Sequence, residues 1–504
     1  MTKRPNILLI MCDQMRSDAM GCIGNPAVQT PNLDALAATG VNFANAYTPY
    51  PVCEPARASI TTGFYPHKCL AFNPDSGGEE IIEDFPLLGA ELNKLGYTTY
   101  AMGKLHYHPY TPPGEPKVTH GIKHVEFAES GRWANLYEGA AGLEDYLDYL
   151  HTVGWGGYSR PLAIGNNDIF PAVSPLPQEH YVDNWVASRS IAHMRQHLEN
   201  TPDKPFFMWA SFPKPHSPYD PPRPYDSMYD PRDIPPPTGT IGDIQARGLD
   251  DVLKNHYKYH WDTVSDAAKQ VILAHYYGLI SFQDKQVGRM LEFLASAGIR
   301  DNTIVIFTSD HGDMMGDFGL YFKALMYRAS VNVPFIVSYP KEWPVNVVSD
   351  ELVGLQDILP TLLSFAGESD LQKNMDGLNL TPIVKGEMQG RDSYVAYFCN
   401  VENPDGHQRT MIADKHYKFI YNACGGVEEL YDMKNDVHEL CNLADMPEYA
   451  ARLGEMRSQL HKWCIDNNHQ QMLDGGKLKY IPRPDIANCI PQKTLNGLFG
   501  RRKY

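Results

Sequence analysis

The sequence predicts an α/β fold, in which a large, mostly parallel sheet is sandwiched by helices and followed by a smaller C-terminal α+β domain. Strand-like apolar runs alternate with helical patterns over the first two thirds of the chain, and several runs are continuously apolar, as buried parallel strands are. At 504 residues the chain also exceeds what one hydrophobic core usually supports. Two domains are therefore expected.

The clearest elements of the first domain follow from apolar periodicity. The predicted strands are residues 6–11, 98–102, 205–211, 303–308 and 333–338. The predicted helices are residues 32–39, 86–95, 180–199, 267–297 and 357–365. In sheets of this kind ligands bind beyond the carboxyl ends of the strands, and the polar motifs of the chain fall there.

The pattern changes after Gly367, and it divides the chain into a catalytic domain (1–370), a small domain (371–469) and a C-terminal arm (470–504). The small domain is predicted to hold an antiparallel meander followed by an amphipathic helix. Its strands are residues 394–398, 409–413, 418–421 and 429–431, and its helix is 448–466. The arm carries exposed apolar residues with no evident core to join, which favours contact with a second subunit; disorder is the alternative.

Two irregular stretches, 111–170 and the proline-rich 213–240, are expected to lie at the surface near the mouth of the site and to set specificity.

Bulk properties exclude some classes of function. A formal net charge of −16 argues against general binding of nucleic acid or an anionic membrane, because both need a basic surface. The apolar run at 7–12 is too short for a signal peptide, and no later run reaches the length of a membrane span. Nine scattered cysteines without metal-type spacing predict reduced thiols in a cytoplasmic protein.

The most informative stretch is CEPARASITTG at residues 53–63. On its own, a cysteine in a proline-rich loop is usually a small buried hydrophobe. The stretch closely resembles the C-x-P-x-R…T-G motif of the sulfatases, in the alkaline phosphatase superfamily. The resemblance implies that a maturation enzyme oxidises Cys53 to formylglycine, whose hydrate has one hydroxyl for nucleophilic attack and a second for product release.

Two polar pairs end two predicted strands. Asp13 and Gln14 follow the first strand, and Asp310 and His311 follow strand 303–308, so four side chains can converge on a hard divalent cation. Taken singly, each pair is also explained by a turn cap. Both pairs resemble variants of the sulfatase metal ligands, which implies one divalent ion, with Ca²⁺ preferred and Mn²⁺ the alternative because of the imidazole nitrogen.

Further residues match the cationic ring of the family. Lys104 and His106 form a G-K-x-H motif at a strand end, where strand alternation points both side chains the same way. Lone lysines and histidines mostly carry no special role. Here the resemblance implies that Lys104, Lys323 and Arg57 bind the sulfate, that His216 protonates the leaving alcohol, and that His106 is a base for product release.

The resemblance therefore implies an arylsulfatase-like sulfuric ester hydrolase that converts a small anionic sulfate monoester to an alcohol and inorganic sulfate. The formylglycine-generating enzyme is its expected partner, nucleic acid and membranes are not, and a homo-oligomer, dimer or tetramer, is expected from the arm. A phosphonate monoester or phosphodiester hydrolase of the same superfamily is the alternative; Lys104 favours the sulfatase, because such relatives have a neutral residue there. A non-catalytic anion-binding protein would keep Cys53 as a thiol.

Overall fold

The computed structural model describes residues 4–73, 78–82, 84–106, 117–129, 142, 144–159, 164–165, 167–256, 264–368, 370, 374–399 and 408–483. Its strands, in chain order, are β1 (Asn6–Asp13), β2 (Val41–Tyr47), β3 (Leu70–Asn73), β4 (Gly78–Ile81), β5 (Thr98–Gly103), β6 (His124–Phe127), β7 (Phe206–Pro215), β8 (Thr303–Ser309), β9 (Phe335–Ser338), β10 (Val347–Gly354), β11 (Tyr394–Cys399), β12 (Gln408–Ala413), β13 (Tyr417–Asn422), β14 (Val427–Asp432), β15 (Leu473–Asp474) and β16 (Lys477–Leu478).

The α-helices follow the same order. They are α1 (Pro31–Ala38), α2 (Cys53–Thr62), α3 (Pro66–Cys69), α4 (Leu88–Lys94), α5 (Asp145–Thr152), α6 (Val182–Asn200), α7 (Ile241–Ala246), α8 (Asp250–His256), α9 (Asp266–Ser296), α10 (Arg328–Val331), α11 (Ile358–Phe365), α12 (Leu380–Val384) and α13 (Ala450–Asp466). Short 3₁₀ turns connect several of them.

The main sheet has eight strands in the order β10-β2-β9-β8-β1-β7-β5-β6. Every neighbouring pair is parallel except the two that involve β9, which runs antiparallel to β2 and β8. The predicted fold class is thus confirmed. All five strands predicted for this domain are present, and their observed boundaries differ from the predicted ones by at most two residues at the start and four at the end.

Both faces of the sheet are buried, and β1 shows why its sequence is continuously apolar. Leu8 and Ile10 pack into a core with α6 and α9, whereas Ile7, Leu9 and Met11 pack into a second core with α4 and α11. A strand covered on both sides needs apolar residues at every position, not at every second one. Helices therefore sandwich the sheet, as expected.

Cys53 is the first residue of helix α2 and is preceded by Val52 as N-cap. The expectation that this cysteine lies in a loop is therefore wrong. Pro55 is compatible with the helix because its missing N–H falls in the first turn, where backbone N–H groups have no partner within the helix.

The small domain consists of the antiparallel sheet β11-β12-β13-β14 with α13 packed on it, as predicted. Residues 470–483, the first part of the predicted arm, fold back onto this domain. Met472 and Ile481 are buried in its core, and Ile481 makes a β-bridge with Cys424. Residues 484–504 of the arm lie outside the described residues, as do 111–116, 130–141, 143, 160–163 and 166 of the predicted surface region 111–170.

In the part of the chain that the structure describes, no helix combines the length and apolarity needed to span a bilayer.

Candidate active site

Four parallel neighbours of the main sheet, β5, β7, β1 and β8, end at the same edge, and each brings polar residues there. Asp13 is the last residue of β1, Lys104 follows β5 and His216 follows β7. Asp310 and His311 follow β8. The topology thus gathers groups that are up to 298 positions apart in sequence, and all five side chains are buried.

Helix α2 points its first residue into this group. The Sγ atom of Cys53 lies 3.0 Å from Lys323 Nζ, 3.2 Å from His311 Nε2, 3.7 Å from Asp13 Oδ1 and 3.8 Å from Lys104 Nζ. The positive end of the helix dipole is at the same place. Residue 53 is therefore the point at which the helix and the strand ends meet.

The surroundings of Cys53 favour a charged sulfur. Burial and the Asp13 carboxylate both act to raise the pKa of the thiol, but Lys104, Lys323 and His311 outweigh them, so that the pKa is lowered to about 7. An unmodified thiol here would be partly ionised at neutral pH. Lys104 and Lys323 also stabilise any negative oxygen that takes its place.

A divalent cation fits the donor atoms. Ligand atoms of Asp13, Cys53, Asp310 and His311 all lie within 4.8 Å of one another. Donors bound at about 2.4 Å to one Ca²⁺ lie at most about 4.8 Å apart. His311 Nδ1 is 2.8 Å from the carbonyl oxygen of Gly312, to which it donates, and this leaves the Nε2 lone pair facing the cluster.

Gln14 adds a further oxygen. Its backbone is left-handed, with φ of 72°, and its Oε1 accepts a hydrogen bond of 2.9 Å from Lys323 Nζ. Its Nε2 donates to Asp313 on the other side. The amide oxygen therefore faces the cluster.

Asp13 is held ionised by the cations around it. Burial acts to raise its pKa, but Lys104, Lys323 and Arg57 bring the pKa well below its usual range. Lys104 forms a buried ion pair with this carboxylate. A charged carboxylate at this position is the form that binds a metal.

Arg57 is fully buried and is bonded to protein groups. Its Nε lies 3.0 Å and its Nη2 2.9 Å from Asp310 Oδ2, and its Nη1 donates to the Lys104 carbonyl and, at 2.9 Å, to Ser211 Oγ. Its Nη2 is 3.5 Å from Asp13 Oδ2. The guanidinium thus lies between both acidic metal-ligand candidates, and its pKa is raised by the two carboxylates although burial acts against them.

The turn that carries His106 differs from the one expected. Strand β5 ends at Gly103, and His106 has a left-handed φ of 58°, so strand alternation does not align it with Lys104. The carboxylate of Glu129 instead shapes this turn, since its Oε1 accepts the backbone N–H groups of Leu105 and His106 at 2.9 Å each. The His106 side chain is buried.

His216 packs against the end of β1. Its backbone N–H donates to the Asp13 carbonyl at 3.0 Å, and its Nδ1 is 3.0 Å from the Ser217 carbonyl. Burial, then Lys323, lowers the pKa of its imidazole well below the usual range. Before an anionic ligand binds, the ring is therefore neutral, with its Nε2 unprotonated.

Lys323 lies in a segment, 313–324, in which four residues other than glycine have positive φ: Met315, Phe318, Phe322 and Ala324. Such conformations cost about 1–3 kcal/mol each and concentrate at functional sites. Cys53, Asp13 and Asp310 raise the pKa of Lys323 against the effect of its burial. The lysine thus stays charged beside Cys53.

The structure also reveals polar residues to which the sequence analysis gave no role. Glu129 and Ser211 hold the turn around Lys104, and Asp313 bonds Gln14. Asp313 belongs, with Asp310 and His311, to the polar stretch SDHGD at residues 309–313, which is visible in the sequence. Glu129 and Ser211 give no comparable signal.

Comparison with known proteins places this site in a family. Residues 5–368 match the family model described as Sulfatase, and residues 316–466 match the model of the C-terminal part of N-sulphoglucosamine sulphohydrolase. The chain belongs to the sulfatase family. It is a sulfuric ester hydrolase, which confirms the enzyme class predicted from the sequence.

Individual relatives cover almost the whole sulfatase chain. An arylsulfatase of Clostridium perfringens (strain 13 / Type A) is 34% identical over 485 residues, which are 94% of this chain and 97% of the relative. A choline-sulfatase of Rhizobium meliloti (strain 1021) is 27% identical over 88% of this chain and 83% of its own. The crystal structure of the phosphonate monoester hydrolase of Agrobacterium radiobacter superposes with a TM-score of 0.75 at 25% identity, over 93% of this chain and 96% of the other.

Proposed function

We propose that this sulfatase hydrolyses a small sulfate monoester by means of a formylglycine derived from Cys53 and one divalent metal ion. The observation that carries the proposal is the position of Cys53, whose Sγ lies within 3.8 Å of Lys323, His311, Asp13 and Lys104. Transfer of a sulfuryl group needs a nucleophile surrounded by fixed positive charge, because the group being transferred is anionic.

Each side chain then has a proposed role. Asp13, Gln14, Asp310 and His311 hold the metal, which when bound supplies positive charge that favours ionisation of a hydroxyl on the formylglycine hydrate. Ca²⁺ is the preferred ion because three of the four donors are oxygen atoms, and Mn²⁺ is the alternative because of His311.

The cations bind and orient the ester. Lys104 and Lys323 face residue 53 and neutralise charge on the sulfate, while Arg57 bridges the carboxylates of Asp13 and Asp310. A bound sulfate adds negative charge close to His216 and favours its protonated form, which can then protonate the leaving alcohol oxygen. His106 accepts a proton when sulfate is released.

Mass spectrometry of the intact protein, produced with and without a formylglycine-generating enzyme, tests the modification. Conversion of Cys53 replaces the thiol by an aldehyde and lowers the mass, and Cys53→Ala must abolish both that change and turnover of aryl sulfates. An unmodified Cys53 after co-production would favour an anion-binding protein without catalysis.

Chelation tests the metal. Removal of divalent ions should abolish activity, and Ca²⁺ or Mn²⁺ should restore it; Asp13→Asn and Asp310→Asn should weaken ion binding, because each deletes one of two carboxylate charges. Full activity of chelator-treated protein would contradict the assignment.

Phosphonate monoester hydrolysis is the second candidate, and the structural similarity to the Agrobacterium enzyme favours it. Lys104 argues for the sulfate, because it places a fixed cation beside Asp13, whereas the resemblance to the superfamily implies a neutral residue at this position in phosphonate monoester hydrolases. Comparison of kcat/KM for an aryl sulfate and an aryl phosphonate monoester, in the wild type and in Lys104→Thr, decides between them: the sulfate should be the better substrate, and the substitution should reduce that preference.

We also propose a cytoplasmic protein that assembles into a homo-oligomer, dimer or tetramer. Among the described residues, eight cysteines are present as free thiols, which supports a reducing compartment. Light scattering of the full chain and of a chain truncated after Arg483 tests the assembly: if 484–504 bridges subunits, truncation should lower the mass of the particle.

A further inference from the structure

Asp313 is a fully buried carboxylate with four hydrogen-bond donors around it. Its Oδ1 accepts the backbone N–H groups of Met315 at 2.9 Å and Phe322 at 2.7 Å. Its Oδ2 accepts from Gln14 Nε2 at 2.5 Å and from the Tyr219 hydroxyl at 2.9 Å. In each of these contacts an N–H or O–H group donates to a carboxylate oxygen. Among the side chains, only a carboxylate can accept hydrogen bonds on both of its terminal atoms.

The four donors come from three segments of the active site. Gln14 follows β1, Phe322 is adjacent to Lys323, and Tyr219 lies three residues after His216. One carboxylate thus connects a metal-ligand candidate with the segments that carry two of the proposed sulfate and leaving-group contacts.

The contact with Gln14 decides which end of its amide faces the metal site. Because Nε2 is engaged by the carboxylate, Oε1 must point the other way, where it accepts from Lys323 at 2.9 Å. An amide turned by 180° would place an NH₂ group, which cannot bind a cation, at the metal-ligand position.

We propose that Asp313 is a positioning residue that keeps the amide oxygen of Gln14 directed at the metal site. The inference rests on the proposed divalent site, and it assigns Asp313 no contact with the metal or the substrate. The carboxylate acts through Gln14, in the way that partners of metal ligands fix their orientation.

Substitution by asparagine gives a defined consequence. The backbone N–H groups of Met315 and Phe322 cannot become acceptors, so the amide oxygen of the new side chain must face them and its NH₂ must face Gln14. The Tyr219 hydroxyl can rotate to accept, whereas Gln14 can accept only by turning its own amide, which removes its oxygen from the metal site.

The test measures Ca²⁺ binding by calorimetry and Mn²⁺ binding by electron paramagnetic resonance, on full-length, folded protein freed of metal. Asp313→Asn should lower the affinity about tenfold or more. Asp317→Asn is the matched control, because the Asp317 carboxylate lies in the same segment but accepts hydrogen bonds from Arg16 and Thr238. The metal affinity of this variant should stay at the wild-type value.

Gln14→Glu provides the rescue. In the Asp313→Asn background, the NH₂ group of Asn can donate to one oxygen of the glutamate while the other oxygen faces the metal, so the metal affinity should rise. In the wild-type background the carboxylates of Glu and Asp313 would face each other, so the gain in metal affinity should be smaller or absent. If Asp313→Asn alone does not fold, folding and metal binding by the double variant still support the pairing, and failure of the double variant overturns it.

Unchanged affinity in Asp313→Asn, an equal loss in Asp317→Asn, or a loss that Gln14→Glu does not reverse would each overturn the role of Asp313 while the metal site stands. A wild-type protein that binds neither ion would instead overturn the metal site, and with it this role.

Discussion

Cys53 is surrounded by three groups that lower the pKa of its thiol. Replacement of Cys53 by serine tests whether catalysis needs the two hydroxyls of a formylglycine hydrate or only one hydroxyl. A serine hydroxyl could take one sulfuryl group but has no second hydroxyl for release, so Cys53→Ser should react at most once per chain. Pre-steady-state product release and the protein mass measure this. Sustained turnover by the serine variant would contradict the formylglycine mechanism.

His216 and His106 should have separable effects, because they are proposed to move protons in different halves of the reaction. His216→Ala should slow sulfates with poor leaving groups by about 10²–10⁴ and activated aryl sulfates much less, since a stable leaving anion needs little protonation. His106→Ala should leave the first release of alcohol fast and slow later turnovers.

The slope of log kcat/KM against leaving-group pKa measures the effect at His216, and a burst of alcohol measures the effect at His106. His275→Ala is a control, because that side chain bonds to Val271 within its own helix α9. Equal losses for all leaving groups in His216→Ala would show that the proton donor is another residue.

At the scale of elements, the turn after β7 is held by a buried ion pair that spans His216. Lys214 Nζ pairs with Asp220 and donates to the Pro218 carbonyl at 2.6 Å. The Tyr181 hydroxyl also donates to Asp220 at 3.2 Å. Removal of only one charge would leave the other buried without its ion-pair partner, at a cost of about 3–5 kcal/mol.

The double variant Lys214→Met/Asp220→Asn is therefore the informative one. It removes both charges, so the fold should persist while the turn that carries His216 loses its fixed geometry. We expect its kcat/KM for poor leaving groups to fall about tenfold or more, and to fall no further when His216→Ala is added. Additive losses in the triple variant would mean that the ion pair does not act through His216.

At the scale of the whole molecule, a stack of two imidazoles joins the catalytic and small domains. The ring of His67, in α3, lies parallel to that of His469 with centroids 4.4 Å apart. His67 Nδ1 contacts the Tyr397 hydroxyl at 2.7 Å and its Nε2 contacts the Asn467 carbonyl at 3.0 Å. Lys68 and Asp376 are the charged groups beside the stack, and they pair with each other.

Both histidines are held neutral by this packing. Burial lowers the pKa of His67 to about 4, and burial together with His67 lowers that of His469 well below its usual range. The unfolded chain takes up protons near pH 6.5 that the folded chain does not, so stability present above pH 6.5 is lost as the pH falls towards 4. A histidine that stays neutral down to pH 5 in the folded chain lowers the free energy of unfolding by about 2 kcal/mol between pH 7 and pH 5.

His469→Phe keeps an aromatic ring in the stack and removes one titrating group. The free energy of unfolding, measured with urea at pH 7 and pH 5, should therefore change less with pH in this variant than in the wild type. His275→Phe serves as the control outside the stack. An equal pH dependence in all three proteins would show that the domain junction is not acid-sensitive through His469.

The sequence alone determined the sheet strands that are buried on both faces, because burial on both sides demands a continuous apolar run. Strands β2 and β10 were not predicted, because polar residues such as Asn42, Asn45 and Asp350 interrupt their apolar pattern. In the sheet, β10 is an edge strand and β2 is its neighbour. Helix α2 was not predicted either, because Pro55 reads as a loop residue until its place in the first turn is known.

All ten residues predicted for the site are motif residues, and motif order along the chain was enough to select them. The tertiary structure alone decided how they are held. Asp313 takes its donors from positions 14, 219, 315 and 322, and the turn at His106 depends on Glu129, 23 positions away. Such partners carry no periodicity or spacing in the sequence, because hydrogen-bond geometry is set only when separate strand ends meet at one edge of the folded sheet.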